Sequence, residues 1–155
     1  MPDLRRDDIE DAEFVFTIYD CDGEQNKIDA NDLGDVLRAL GCNPTLAYLK
    51  KLGETEKRGE KIIPIEEFLQ IFAEVKNQKD QGCYEDFIEC LKLYDKREDG
   101  KMVLAELSYA LLALGETLTQ EQVDKVFADC MGEENDDGEI EYIPFLAKMC
   151  EVNKE

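Results

Sequence analysis

Oxygen-bearing side chains recur along the chain at spacings that suit a hard divalent cation. The clearest set is Asp95, Arg97, Asp99, Gly100, Met102 and Glu106, at positions 1, 3, 5, 6, 8 and 12 of a loop. Calcium in such a loop takes six to eight oxygens, with glycine at position 6 for the sharp turn and a bidentate Glu at position 12. This third loop keeps both, but Arg97 puts a cation where a carboxylate belongs, and Val103 offers no side-chain oxygen at position 9. A fourth loop reads Glu133, Asn135, Asp137, Gly138, Ile140 and then Pro144 at position 12, which removes the bidentate carboxylate. A second, aligned on Ile63 and Glu67, has Arg58 at position 3, Lys61 in place of glycine and Pro64 at position 9, and is dead as a metal site. The first is rich in oxygen (Asp20, Asp22, Glu24, Asn26), but the step from Asp20 to Ile28 is a residue too long, and Asp32 is short for a bidentate ligand. Its Asp29 and Asp32 read better as caps at a helix start. The weak metal candidates are therefore Asp20, Asp22 and Asn26 in loop one and Asp95, Asp99 and Glu106 in loop three. No cofactor is required on this reading, and weak calcium or magnesium occupancy stays open.

Helices must position these loops. Apolar residues recur at helical spacing in Ile9-Phe14-Val15-Phe16-Ile18-Tyr19, Leu33-Val36-Leu37-Leu40, Leu46-Leu49-Leu52 and Ile65-Phe68-Leu69-Phe72. Asn43 before Pro44 predicts an N-cap and first helical position, and Gly41 a C-terminal cap. The frame is that of the EF-hand. All four loops keep an apolar eighth position (Ile28, Ile63, Met102, Ile140), the place at which two such loops pair as a short ribbon. Leu33–Gly41 echoes Leu107–Gly115, Tyr19-Asp20 echoes Tyr94-Asp95, and Phe68-Leu69 echoes Phe145-Leu146, so the chain is duplicated. The expectation is an all-α, two-lobed, calmodulin-like EF-hand protein of four helix-loop-helix units. The N-terminal lobe spans 1–76, a polar connector 77–82 and the C-terminal lobe 83–155.

Composition narrows the function. The 155 residues carry 38 Asp and Glu against 18 Lys and Arg, a formal charge of −20, which repels nucleic acid and anionic membranes and attracts basic polypeptides. No histidine is present, so His-centred triads and metal sites are excluded, and neither a Walker loop nor a G-x-G-x-x-G stretch occurs. The six cysteines form no C-x-x-C pair and read as reduced thiols, with Cys83 the best candidate for a reactive one. The N-terminus has no signal-peptide or transit-peptide pattern, and no apolar run is long enough to span a membrane, so a soluble cytoplasmic protein is expected.

The loops keep what pairing requires better than what calcium requires, which moves function to the lobe surfaces. A groove that grips an amphipathic helix is what this fold offers. Its candidate lining is Phe16, Leu37, Leu40 and Phe72 in the first lobe, and Leu91, Leu111, Leu114, Phe127, Phe145 and Met149 in the second. Burial in the lobe core is the alternative for each. Only four methionines are present, few for an adaptable groove, which argues for one dedicated partner.

Gln81-Gly82-Cys83-Tyr84-Glu85-Asp86-Phe87, Leu93-Tyr94-Asp95, Ala105-Glu106-Leu107, and Leu111-Ala113-Leu114-Gly115-Glu116 together resemble muscle myosin essential light chains. So do Leu33-Gly34-Asp35, Asn43-Pro44-Thr45, Gly59-Glu60-Lys61 and Glu67-Phe68-Leu69, and the resemblance covers essentially the whole chain. It implies a non-catalytic subunit wrapped on the first IQ-motif helix of a myosin heavy chain in the muscle thick filament, beside a regulatory light chain. The second lobe would grip the first part of the motif, largely without calcium, and stiffen the helix as a lever arm. The alternative is a calcium sensor of the calmodulin or troponin C class, which would need a lobe with complete ligand sets.

Overall fold

The computed structural model describes residues 3–20, 23, 26–78 and 81–151. The chain divides into two compact units, Met1–Gln81 and Gly82–Glu155, so the stretch 77–82 read as a connector is shared between them. The first unit runs α1 (Arg6–Tyr19), β1 (Lys27–Asp29), a 3-10 turn (Ala30–Asp32), α2 (Leu33–Ala39), α3 (Leu46–Leu52), β2 (Ile62–Pro64) and α4 (Ile65–Lys76). The second runs α5 (Tyr84–Lys92), β3 (Lys101–Val103), α6 (Leu104–Ala113), α7 (Gln120–Cys130), β4 (Glu139–Glu141) and α8 (Tyr142–Met149). In each unit the two loops pair as an antiparallel ribbon centred on the eighth positions, Ile28 opposite Ile63 and Met102 opposite Ile140. All four of these side chains are buried, which ties each ribbon to its core.

In the first unit α1 packs on α2 and α4 through Ala12, Val15 and Phe16. Phe16 lies 4.9 Å from Phe68 between ring centroids, and Phe68 stacks on Phe72 at 5.9 Å. Such aromatic contacts add to the area they bury. Two apolar residues of the α1 pattern do not join this core: Phe14 is 66% exposed and Ile18 64%. They sit one turn apart on the helix face opposite Ala12, Val15 and Phe16, so one helix cannot turn both sets inward.

Gly41 ends α2 as expected, at φ +82°, with the Cys42 N–H returning to the Leu37 carbonyl. The cap of α3 departs from the expectation: Thr45, not Asn43, is the N-cap, and its Oγ1 accepts from Tyr48 N at 3.2 Å. Asn43 is drawn elsewhere, because its N–H donates to Gln81 Oε1 at 2.6 Å. In the second unit α5 and α7 pack on α8, and α6 packs on α7.

Candidate functional site: paired loops and an apolar groove

In each pair of loops, cationic side chains engage some of the carboxylates. In loop three, Asp95 is almost fully buried; its Oδ2 accepts from Gly100 N at 2.8 Å and from the Tyr142 hydroxyl at 3.1 Å, and its Oδ1 from Asp99 N at 3.2 Å. Burial pushes the Asp95 carboxyl up, but these hydrogen bonds outweigh it and hold its pKa below the usual carboxylate value. Arg97 reaches across to the Glu139 carboxylate of loop four and lies 3.3 Å from Asp99 Oδ2. Glu106 faces Lys96 at 4.0 Å. The loop-three ligand candidates are thus each engaged with the protein, and a guanidinium occupies the acidic ground between the loops. Loop four holds its turn with Asn135, whose Oδ1 accepts from Asp137 N and Glu139 N.

The first pair of loops follows the same logic with different residues. Arg58 donates to Asp32 at 2.7 Å, Lys61 to Glu67 at 2.8 Å and Lys50 to Glu56 at 3.1 Å. Asp29 caps the 3-10 turn through Asn31 N, as the sequence suggests, and also accepts from Gly59 N at 2.7 Å across the ribbon. Asp32 makes no cap bond; it takes Arg58 instead. Of the loop-one candidates, Asp22 lies outside the described residues, Asp20 bridges Ile28, and Asn26 holds a left-handed turn at φ +79°. Among the described residues no three acidic or cysteine side chains converge as a metal ion would need. The donor set of loop three therefore does not fit calcium.

The groove candidates separate by unit. In the first, Phe16, Leu37 and Phe72 are buried and Leu40 half-buried in one continuous core with Leu33, Val36, Leu49 and Phe68. They form a closed interior, not an open slot. Polar ties hold it shut: Tyr48 on α3 donates to Glu74 on α4 at 2.6 Å, Lys76 donates to Asp8 on α1 at 2.6 Å, and Gln81 Nε2 donates to the Val75 carbonyl while its Oε1 holds Asn43. Burial first, then the bond to Glu74, push the Tyr48 phenol up to about 12. Beneath these ties Cys42 is 8% exposed, and burial raises its thiol pKa.

In the second unit the buried nucleus is small, Leu91, Met102, Leu107, Ile140, Tyr142, Phe145 and Leu146, and a broad ring of half-buried apolar side chains surrounds it. Leu111 and Phe127 belong to that ring, the Phe127 ring meeting Phe145 edge-on at 6.2 Å. Leu114 and Met149 are out in solvent, 54% and 39% exposed. Leu91 and Phe145 are thus buried, Leu111 and Phe127 half-buried, and Leu114 and Met149 uncovered. Phe87, Ile88, Val126 and Met131 belong to the same ring and are missing from the candidates read off the sequence. Tyr84-Phe87-Ile88-Leu91 and Val123-Val126-Phe127-Cys130 both recur at helical spacing, a signal that would have found them.

The exposed Cys83 is not an activated thiol. A backbone hydrogen bond from Asp86 lowers its pKa, but the Glu85 and Asp86 carboxylates outweigh this and carry it upward.

Over 149 residues the chain is 58% identical to the myosin light chain alkali of Drosophila melanogaster, covering 96% of this chain and 95% of that protein. The chain belongs to the myosin alkali light chain family. The Drosophila virilis protein of the same name is 57% identical over the same span. No family model matches the chain. Among solved structures, this alkali light chain is similar in fold to the Physarum polycephalum myosin II regulatory domain, with TM-score 0.70, 24% identity, and coverage of 95% and 97% of the two chains. It is also similar to Mlc1p bound to IQ2 of Myo2p, a class V myosin, with TM-score 0.67, 27% identity, and coverage of 90% and 96%. Among the described residues no helix is long and apolar enough to cross a membrane.

Proposed function

We propose that this alkali light chain is a non-catalytic essential light chain that grips the first IQ-motif helix of a myosin heavy chain and stiffens it as a lever arm, without needing calcium. It would work in the muscle thick filament, in a complex that also holds a regulatory light chain. The observation that carries this reading is the second unit, where half-buried and exposed apolar side chains surround a small buried nucleus beside loops in which Arg97 and Lys96 already engage Asp99, Glu139 and Glu106. A basic amphipathic helix offers what that surface lacks, apolar side chains for the groove and positive charge for a chain at −20. Since the apolar side chains of that surface are uncovered while Arg97 and Lys96 sit on the loop carboxylates, no ion has to bind first. The solved complex of Mlc1p with an IQ motif supports the same mode.

The test is calorimetry of the full chain with an IQ-motif peptide, in chelator and again with calcium. Tight binding in both is expected. Binding in calcium alone would overturn the reading in favour of a calcium sensor of the calmodulin or troponin C class.

A further inference from the structure

The first unit has no groove, yet it carries a marked apolar surface of its own. Phe14 and Ile18 stand on the outer face of α1, opposite the buried Ala12, Val15 and Phe16. Isolated exposed apolar residues are ordinary on protein surfaces, but two large ones a turn apart on one stripe make a continuous patch. The same face carries acid. Asp11 and Asp7 lie about one and two turns before Phe14 along the stripe, Glu10 borders it, and Arg6 is matched by Glu10 at 2.9 Å. Asp7 and Asp11 make no ion pair among the described residues, so their charge faces solvent. Thr17 folds its hydroxyl back onto the Phe14 carbonyl at 2.6 Å.

This combination selects its occupant. A second copy of the chain would bring the same acidic face and another −20 charge, and nucleic acid and anionic membranes are repelled for the same reason. A polypeptide segment with one or two apolar anchors between Lys or Arg side chains matches both the patch and its border. We propose that the outer face of α1, centred on Phe14 and Ile18 and bordered by Asp7, Glu10 and Asp11, docks a second basic segment of the myosin assembly, distinct from the helix held in the groove. This rests on the light-chain reading and adds a second point of attachment to it.

The test compares two probes on the full chain: the IQ-motif peptide alone, and a myosin fragment holding the same helix with its motor domain and the regulatory light chain. Phe14→Ser/Ile18→Ser changes only exposed side chains, and an unaltered thermal melt would show that the first unit keeps its fold. The double variant is expected to bind the peptide like the wild type and the large fragment about tenfold more weakly. Asp7→Asn/Asp11→Asn should weaken the large fragment less and flatten the salt dependence of its binding. Equal binding of wild type and double variant to the large fragment would overturn the proposal. Equal weakening on both probes would overturn it too, because the face would then belong to the grip on the groove helix. Failure of the wild type to bind either probe would instead overturn the light-chain reading itself.

Discussion

The two units have the same order of elements and the same eighth-position ribbon, but they use their apolar residues differently. In the first, Phe16, Leu37, Phe68 and Phe72 close on one another, with Tyr48–Glu74, Asp8–Lys76 and Gln81–Asn43 lacing the helices together around them. In the second, the counterparts Leu91 and Phe145 stay buried, but Leu111 is half-buried and Met149 exposed, with half-buried Phe127 and exposed Leu114 beside them. The polar contacts described there gather in the loops, around Asp95, Arg97 and Glu139. The difference teaches that one duplicated template can put the same interior positions to two uses: the closed copy turns them on one another, and the open copy leaves part of them uncovered for a partner.

The strongest way to break this comparison is to truncate one aromatic ring in each unit. Phe68→Ala is expected to cost about 3–5 kcal/mol in denaturant unfolding of the free chain, as a fully buried ring should. Phe127→Ala should cost the free chain much less, yet weaken binding of the IQ peptide by roughly tenfold or more. The opposite assignment would refute the division of labour. Next in size is Arg97→Asp, which restores a carboxylate at position 3 of loop three. In chelator the variant should melt below the wild type, since Asp99 and Glu139 lose their cation, and calcium should restore it. The wild-type melt should ignore calcium.

A smaller effect sharpens the closed half of the comparison. Tyr48→Phe and Gln81→Ala each remove a tie worth about 1 kcal/mol, so alkylation of buried Cys42 should quicken by roughly fivefold for each. Exposed Cys90 serves as the internal control. The smallest effect is in acid. The hydrogen bond from Lys76 holds Asp8 below the ordinary carboxylate value of 3.8, and hydrogen bonds overcome burial to do the same for Asp95. Both groups therefore contribute stability that is fully present above pH 3.8 and is lost as pH falls through their lowered folded values. The stability gap between wild type and Lys76→Met should be constant near neutrality and close below pH 3.8.

The ribbons were legible because an apolar residue at position 8 of an otherwise polar loop has one use, and Ile28–Ile63 and Met102–Ile140 pair in that register. The Gly41 cap was legible for a similar reason, since its positive φ suits glycine. Phe14 and Ile18 misled because Phe14-Val15-Phe16 is apolar all round, and no periodicity says which side of such a run meets the core. Thr45 and not Asn43 caps α3 because the helix begins only at Leu46, which puts the Thr45 hydroxyl and not the Asn43 amide over the Tyr48 N–H. The partners of Arg58 and Arg97 lie across the ribbon, so their sequences told only that a calcium ligand was missing and not that a cation had replaced the ion. Open and closed lobes were the least legible, because the same residue types line both.

Gln81 fastens to Asn43 and Val75 of the first unit, while Gly82 lies so near the Phe87 ring of the second that an added Cβ would come within 3.1 Å of it. A side chain at position 82 would have to push that ring aside by a few tenths of an ångström, and Phe87 belongs to the half-buried apolar ring of the second unit. Glycine at 82 therefore sets how closely the entry to α5 can be drawn against that ring, and a bulkier residue would act on the apolar surface from behind.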